Sequence, residues 1–106
     1  LHIRRFKASS CKTGAIRLTK KERKARFESL SEYGCIICMR PTEIHHLIGY
    51  KYSSLGKKAE DANTIPLCVE HHRGGQGIHH MGMRVWEEVY GTQEQLLSKV
   101  NKTCFI

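Results

Sequence analysis

The sequence lacks any apolar run long enough to cross a membrane, and no apolar segment of the secretory type is visible at its start. We therefore expect a cytoplasmic protein without a membrane partner. Internal repeats and long low-complexity segments are also lacking, which excludes repeat architectures. A chain of 106 residues is short for several domains, so one domain is expected. Its first residue is Leu1 rather than Met, which is compatible with a fragment of a longer protein.

Acidic residues are scarce at one end of the chain. The net charge is +8, and residues 1–26 contain ten Lys or Arg but a single acid, Glu22. A basic segment beside a nearly neutral body is typical of contact with nucleic-acid phosphates, although a solubilising tail has the same composition. We predict that residues 1–18 form a basic arm along DNA and that residues 19–106 form the folded domain. Three loop lysines are further candidates for phosphate contacts, or are simply solvated: Lys51, Lys57 and Lys58.

The cysteines are five, an odd number, and three of them lie near histidines, which favours metal binding over disulfides. Two short pairs, 35-x-x-38 and 68-x-x-71, have the spacing by which two side chains reach one tetrahedral ion. The pairs together predict a structural zinc, which would stabilise a domain with a modest core. The predicted zinc ligands are Cys35, Cys38, Cys68 and His71. The other two cysteines are interpreted as spare thiols: Cys11 and Cys104.

The pattern of caps and apolar residues predicts both helices and strands. Thr19 and Glu22 form a capping box that predicts a helix over 20–33, ended by Gly34. Residues 43–48 and 63–67 are predicted short strands, with a proline placing the second at a sheet edge. Helical segments are predicted from 68 to 73, from 84 to 90 and after a second capping box at 92–95. The fold class is therefore α+β.

Histidines exceed what one structural zinc needs, because six of the seven lie between positions 45 and 80. His45 and His46 are adjacent in a predicted strand, so their side chains point to opposite faces. One could bind a divalent ion that stabilises a phosphate and its leaving oxygen, while the other accepts a proton from water. This division of labour suits phosphodiester hydrolysis. The plainer alternatives are satisfied strand histidines at 45 and 46, and polar loop residues at 79 and 80.

The residues also resemble a known family. A strand with His-His, a loop, Asn63, a second strand and then Leu-Cys-x-x-His-His looks like the HNH (ββα-metal) endonuclease signature in its zinc-clamped form. Residues 45–49 (His-His-Leu-Ile-Gly) and 65–72 (Ile-Pro-Leu-Cys-x-x-His-His) resemble more specifically the phage recombination-enhancement (Ref-like) nucleases, a group associated with RecA-dependent DNA cleavage. The resemblance covers roughly residues 33–90. It implies a small zinc-stabilised HNH fold with flanking helices, acting on DNA in phage recombination with a RecA filament as partner.

The resemblance also implies roles for single residues. His45 and His72 match ligands of a catalytic Mg²⁺ or other divalent ion, and His46 matches the general base. Asn63 matches the middle letter of HNH, which holds the loop and the base in place. Many members carry a further histidine four residues after the second ligand, but that position is Gln76 here. The third ligand is therefore sought after the glycine-rich segment, at His79 or, failing that, at His80.

A second hypothesis from another class is a zinc-stabilised nucleic-acid-binding or adaptor module without catalysis. The surplus of histidines over zinc ligands favours the enzyme. Metal content separates the two, because an adaptor needs one tightly held zinc whereas the nuclease needs a second, exchangeable divalent site.

Overall fold

The computed structural model describes residues 17–49, 52 and 59–104. Most of the predicted arm, the three loop lysines and Cys11 lie outside the described residues, as does the side chain of Cys104. The chain forms an α+β fold, as predicted. Its elements are α1 (Lys20–Tyr33), β1 (Glu43–His46), β2 (Thr64–Leu67), α2 (Val69–His72), α3 (Ile78–Met81), α4 (Met83–Tyr90) and α5 (Gln93–Cys104).

The first helix has the bounds that its capping box predicts. The Thr19 hydroxyl accepts from the Glu22 N–H at 3.1 Å, and the Glu22 carboxylate accepts from the Thr19 N–H at 2.9 Å. Gly34 ends the helix with a φ of 84°. A Cβ at that position would lie 2.7 Å from the carbonyl oxygen of Met39, so both the backbone angle and the space favour glycine. The chain leaves α1 directly into the first pair of cysteines.

The two strands pair antiparallel, with Glu43 opposite Leu67 and His46 opposite Thr64. Strand β1 ends two residues earlier than predicted. The N–H of Ile48 leaves the strand ladder and donates to the side-chain oxygen of Gln93 at 3.0 Å. Strand β2 is buried along its whole length. In a two-stranded sheet both strands are edges, so the predicted edge position of Pro66 is confirmed.

A buried arginine joins three elements of the fold. Arg26 of α1 is 2% exposed. Its guanidinium donates to the hydroxyl and carbonyl oxygens of Thr64 in β2, at 2.8 and 2.7 Å, and to the side-chain oxygen of Asn101 in α5 at 3.0 Å. Burying this charge is tolerable because the fork of donors finds acceptors inside the protein. Helices α1 and α5 are thereby fixed to one edge of the sheet.

The apolar core lies around this small sheet. Fully buried members are spread along the described chain: Leu30, Leu47, Ile65, Leu67, Ile78, Trp86 and Val100. Leu96 and Leu97 of α5 join them, as the pattern of the last helix predicts. Within the described ranges, no helix combines the length and the apolar character that a bilayer crossing requires.

Candidate metal centres

The two predicted ligand pairs come together in space. The ligand atoms of Cys35, Cys38, Cys68 and His71 all lie within 4.8 Å of one another. The sulfurs of Cys38 and Cys68 are 3.6 Å apart, and Nδ1 of His71 lies 3.2 Å from Cys68 Sγ and 3.8 Å from Cys35 Sγ. Ligand atoms around a tetrahedral zinc are roughly 3.4–3.8 Å apart. We call these four residues the cysteine cluster, which could hold a metal such as zinc.

A tight backbone turn presents the first pair of the cysteine cluster. The N–H of Cys35 donates to the carbonyl of Arg40 at 2.9 Å, and the N–H of Met39 donates back to the Cys35 carbonyl at 2.8 Å. The N–H of Ile37 points at Cys35 Sγ at 3.4 Å. Met39 has a φ of 69°, which lets the turn close. The turn thereby holds Cys35 Sγ 3.8 Å from Nδ1 of His71, a ligand of the second pair.

One short helix supplies ligands to two clusters. Cys68 is the N-cap of α2, and His71 lies three residues further along the same side. The next residue, His72, points about a quarter turn away from His71 on the helix. Burial raises the pKa of the Cys68 thiol, so metal uptake there would be accompanied by proton release.

The second cluster consists of three histidines from three different elements: His45 of β1, His72 of α2 and His79 of α3. We call it the histidine cluster. Its ligand nitrogens also lie within 4.8 Å of one another. The ring centroid of His45 lies 5.1 Å from that of His72 and 5.2 Å from that of His79. The centroids of His72 and His79 are 4.8 Å apart. The structure thus brings together the three residues that the sequence singles out for a second ion.

The rings of the histidine cluster are suited to bind a cation. His45 is 1% exposed, and its Nδ1 is buried without a hydrogen-bond partner in the described part of the chain. Burial is the main cause that lowers the pKa of His45 to about 4; the hydrogen bond with Gln93 acts in the opposite direction, and the nearby His72 and His79 contribute to the lowering. Burial and His72 also lower the pKa of His79. Neutral imidazoles offer lone pairs that suit transition metals. The predicted Mg²⁺ prefers oxygen ligands, so this donor set gives it no support.

Two other candidates for the third ligand are not part of the histidine cluster. Gln76 takes the position four residues after His72, and its side-chain oxygen accepts from the Tyr90 hydroxyl at 3.1 Å. His80 is exposed and is absent from both groups of potential ligands among the described residues. His79 is the one that reaches the cluster.

A glycine turn explains why His79 can reach the cluster. Gly77 packs so closely on the end of α2 that a Cβ there would lie 2.6 Å from the carbonyl carbon of His72 and from the N of Arg73. The N–H of Gly77 donates to the carbonyl of Gly74 at 2.9 Å, closing the turn. The chain therefore doubles back, and α3 begins beside α2 instead of continuing its axis.

Glu43 supports the histidine cluster, and the sequence interpretation missed it. Its carboxylate accepts from His72 Nδ1 at 2.8 Å and from the Arg73 guanidinium at 2.8 Å. Arg73, and then His72, lowers the pKa of Glu43 to about 2. A carboxylate that accepts a hydrogen bond from Nδ1–H leaves Nε2 of His72 as the nitrogen with a lone pair. The signal was available, because Glu43 stands two residues before His45 and so on the same face of β1.

His46 faces the other side of β1, as the strand alternation predicts. Its Nε2 lies 2.8 Å from Oδ1 of Asp61, and its ring meets that of Phe27 edge-on with centroids 6.2 Å apart. Arg23 lies 3.9 Å from the second oxygen of Asp61. The sequence interpretation missed Asp61, since the loop that carries it has no regular period.

Asn63 is 2% exposed and closes the turn that leads into β2. Its N–H donates to the carbonyl of Glu60 at 2.9 Å, and its carbonyl accepts from the N–H of Leu47 at 3.0 Å. These bonds hold the turn, and with it Asp61, against the end of β1. Both bonds are made by the backbone of Asn63, so the predicted role of its side chain in holding the loop and the base stays a prediction, as does a part in catalysis.

The comparisons with known proteins identify a family but no activity. A family described as "Protein of unknown function (DUF968)" matches residues 19–105. The chain belongs to this family. It is also 36% identical over 64 residues to the uncharacterized protein YdfU of Escherichia coli strain K12. That match covers 59% of this chain but only 17% of the relative, so the chain spans a small part of the relative's length. No solved structure matches the chain.

The family match has bounds that correspond to the described domain. It starts at Thr19, the N-cap of α1, and continues past the end of α5. Both metal-ligand clusters therefore lie inside the part of the chain that matches the DUF968 family.

Proposed function

We propose that this chain is a metal-dependent DNA endonuclease of the HNH (ββα-metal) type. The observation that carries the proposal is the histidine cluster, because a zinc clamp made of the cysteine cluster needs no second set of ligands. Three imidazoles leave one coordination position of a tetrahedral ion open, which suits a catalytic site. Four protein ligands fill all the positions, which suits a structural site. Two antiparallel strands followed by a helix that carries His72 also support this assignment.

The cysteine cluster would hold a structural zinc. It joins the turn after α1 to the junction between β2 and α2, so the ion would connect segments whose nearest ligands, Cys38 and Cys68, are 30 residues apart in the chain. The N–H of Ile36 also donates to the carbonyl of Pro66 at 2.9 Å, beside the cluster. Zinc at this place would fix α2, and α2 in turn carries a ligand of the histidine cluster.

The histidine cluster would hold the catalytic ion through His45, His72 and His79. A divalent ion bound there supplies charge stabilisation to the scissile phosphate and to the leaving oxygen. Imidazole nitrogens favour ions such as Ni²⁺ or Zn²⁺ over Mg²⁺. Glu43 fixes the orientation of His72 by accepting a hydrogen bond from its Nδ1–H.

His46 would be the general base. Because Asp61 accepts a hydrogen bond from Nε2–H, Nδ1 is left as the nitrogen that takes a proton from the attacking water. The carboxylate then stabilises the imidazolium that forms, as a carboxylate does in other histidine pairs. Since His45 and His46 lie on opposite faces of β1, metal binding and proton transfer do not compete for one side chain.

DNA is the proposed substrate because of the charge distribution. Ten of the 18 basic residues lie within residues 1–26; one of them, Arg26, is buried, but α1 begins with exposed Lys20, Lys21 and Lys24. A concentration of positive charge of this kind binds the phosphate backbone without regard to sequence. Action in phage recombination, with a RecA filament as partner, is the finer part of the proposal and is supported by the resemblance of residues 45–49 and 65–72 alone.

Cleavage of plasmid and linear DNA by the zinc-loaded protein tests the proposal. The assay uses Mn²⁺, Ni²⁺, Zn²⁺ and Mg²⁺ in turn, with and without a RecA filament. His46→Ala is expected to lose ~10²–10⁴-fold in rate, because it lacks the proton acceptor. Zinc content and melting temperature should stay as in the parent. His80→Ala, which alters an exposed histidine outside both clusters, is the matched control and should cut normally.

The outcomes separate the two classes of function. Absence of cleavage under every condition would overturn the nuclease and leave the zinc-stabilised adaptor in its place. Cleavage with an unchanged rate in His46→Ala would keep the enzyme and reject His46 as its base.

A further inference from the structure

Gln93, the first residue of α5, is buried at 2% exposure and plays no part in the mechanism above. Its side-chain nitrogen donates to the carbonyl of Ile48 at 2.9 Å, and its side-chain oxygen accepts from the N–H of the same residue at 3.0 Å. A backbone N–H can only donate and a backbone carbonyl can only accept. These two contacts therefore fix which end of the Gln93 amide is oxygen, a choice that is otherwise ambiguous.

The fixed amide determines the protonation of His45. Nε2 of His45 lies 3.0 Å from the same side-chain oxygen of Gln93. Because that oxygen carries no hydrogen, Nε2 must be the donor, and the neutral ring is the Nε2–H tautomer. The lone pair is then on Nδ1, the atom that is buried without a hydrogen-bond partner in the described residues. A buried polar atom left unpaired is costly, and a bound cation would satisfy it.

We propose that Gln93 is a positioning residue of the histidine cluster, holding His45 in the tautomer that presents Nδ1 to a metal ion. The proposal rests on the second metal site of the proposed function but not on nuclease activity. Glu43 selects the opposite tautomer of His72, since it accepts a hydrogen bond from Nδ1–H and leaves the lone pair on Nε2. The two rings therefore present different nitrogens, each selected by its own partner.

The position of Gln93 makes the last helix part of the site. The backbone N–H of Gln93 donates to the carboxylate of Glu87 at 2.8 Å, so a side chain of α4 holds the start of α5 in place. A methionine at position 93 would fill similar space without the acceptor that His45 and Ile48 share. A glutamate would keep that acceptor but lose the donor to the carbonyl of Ile48.

Two measurements test the proposal, and both start from the zinc-loaded protein before a second ion is added. Long-range ¹H–¹⁵N NMR of the ring nitrogens reports the tautomer of His45, and calorimetric titration with Ni²⁺ reports the affinity of the histidine cluster. The parent should show the Nε2–H tautomer. Gln93→Met should show a mixture of tautomers and bind Ni²⁺ about 10–100-fold more weakly. Gln93→Glu, which keeps the acceptor, should recover the tautomer and most of the affinity.

The matched control is Gln95→Ala. Gln95 caps the same helix end, where its side-chain oxygen accepts from the Thr92 N–H at 3.0 Å, but it has no contact with His45 among those described. This variant should lose helix capping yet keep the tautomer and the Ni²⁺ affinity of the parent.

The inference is overturned by an Nδ1–H tautomer in the parent, or by parental tautomer and affinity in Gln93→Met. If Gln93→Met does not fold, the parent tautomer and the Gln93→Glu variant decide the question. A parent that takes up no Ni²⁺ at the histidine cluster rejects the proposed second site, and with it the nuclease. In that case the comparison of tautomers between parent and Gln93→Met still decides whether Gln93 controls His45.

Discussion

The cysteine cluster and the histidine cluster have ligands at adjacent positions of α2, His71 and His72, yet the two clusters are built in different ways. The cysteine cluster takes its four ligands from two short segments, each of four residues. The histidine cluster takes three ligands from three elements, β1, α2 and α3. A site made from local pairs needs only that two segments meet. A site made from three elements depends more on partners that orient the rings, and here Glu43 contacts His72 and Gln93 contacts His45.

The two clusters also differ in the chemistry of their ligands. Three thiols and an imidazole form a closed set of soft ligands, which is typical of zinc that holds a fold together. Three imidazoles leave a position open for water or substrate, which is typical of a site that acts on something else. The difference teaches that the first cluster should govern stability and the second should govern activity. Each prediction below breaks or sharpens this division.

The largest effect is expected from Cys38→Ser, which removes one ligand of the cysteine cluster. Structural zinc contributes apparent binding free energies of about 10–16 kcal/mol in small zinc domains. A loss of even ~3 kcal/mol lowers the melting temperature by roughly 12–24 °C in a domain of this size. Zinc content and melting temperature should therefore fall together, as measured by metal analysis and calorimetry. Retention of both would reject the clamp.

Removing a ligand of the histidine cluster should leave stability almost unchanged but weaken the second ion. His79→Ala is expected to reduce Ni²⁺ affinity by more than the ~10–100-fold typical of an outer-shell change, because it removes a ligand itself. His80→Ala changes the neighbouring, exposed histidine and is the control. Calorimetric titration measures both variants at full zinc occupancy. Equal affinities of the two variants would show that His79 is no ligand.

The contrast between the clusters also explains what the sequence could predict. The spacings 35-x-x-38 and 68-x-x-71 are set by one turn and one helical turn, so local geometry is enough to group them. The capping boxes at Thr19 and Thr92 likewise depend on residues three apart, and both helices begin where they predict. The two strands follow from short apolar runs, although the end of β1 depends on Gln93, a distant residue.

The histidine cluster was less predictable because its geometry depends on tertiary contacts. The choice of His79 over His80 rests on how tightly Gly77 packs against the end of α2. Asp61 and Gln93 stand 15 and 48 residues from the histidines that they contact. No local period connects such residues, so only the folded chain reveals them. Glu43 was the exception, since strand alternation alone puts it on the face of His45.

Glu43→Ala should have a smaller effect than loss of a ligand. It removes the acceptor that holds His72 in the Nδ1–H tautomer, and such changes cost about 10–100-fold in metal affinity. The variant also loses the ion pair with Arg73, whose nearest N and O are 2.8 Å apart. Arg73→Ala is therefore the control, since it breaks the ion pair but keeps the contact between Glu43 and His72. A similar Ni²⁺ affinity in both variants would assign the effect to the ion pair instead.

The smallest effect concerns pH and the buried ring of His45. Its pKa is lowered from 6.5 to about 4 by burial, so between these values the unfolded chain binds a proton that the folded chain does not. The free energy of unfolding therefore falls as the pH drops below 6.5, until the loss levels off near 4. At pH 5, which is 1.5 units below the unfolded value, the loss relative to pH 7 is about 2 kcal/mol. His45→Leu removes the titrating ring, whereas acid release of zinc from the cysteine cluster affects parent and variant alike. Denaturant unfolding at pH 7 and pH 5, without a second ion, should show a pH difference that is smaller in His45→Leu by this amount. Equal pH differences in the two proteins would mean that His45 does not contribute to the acid sensitivity of the fold.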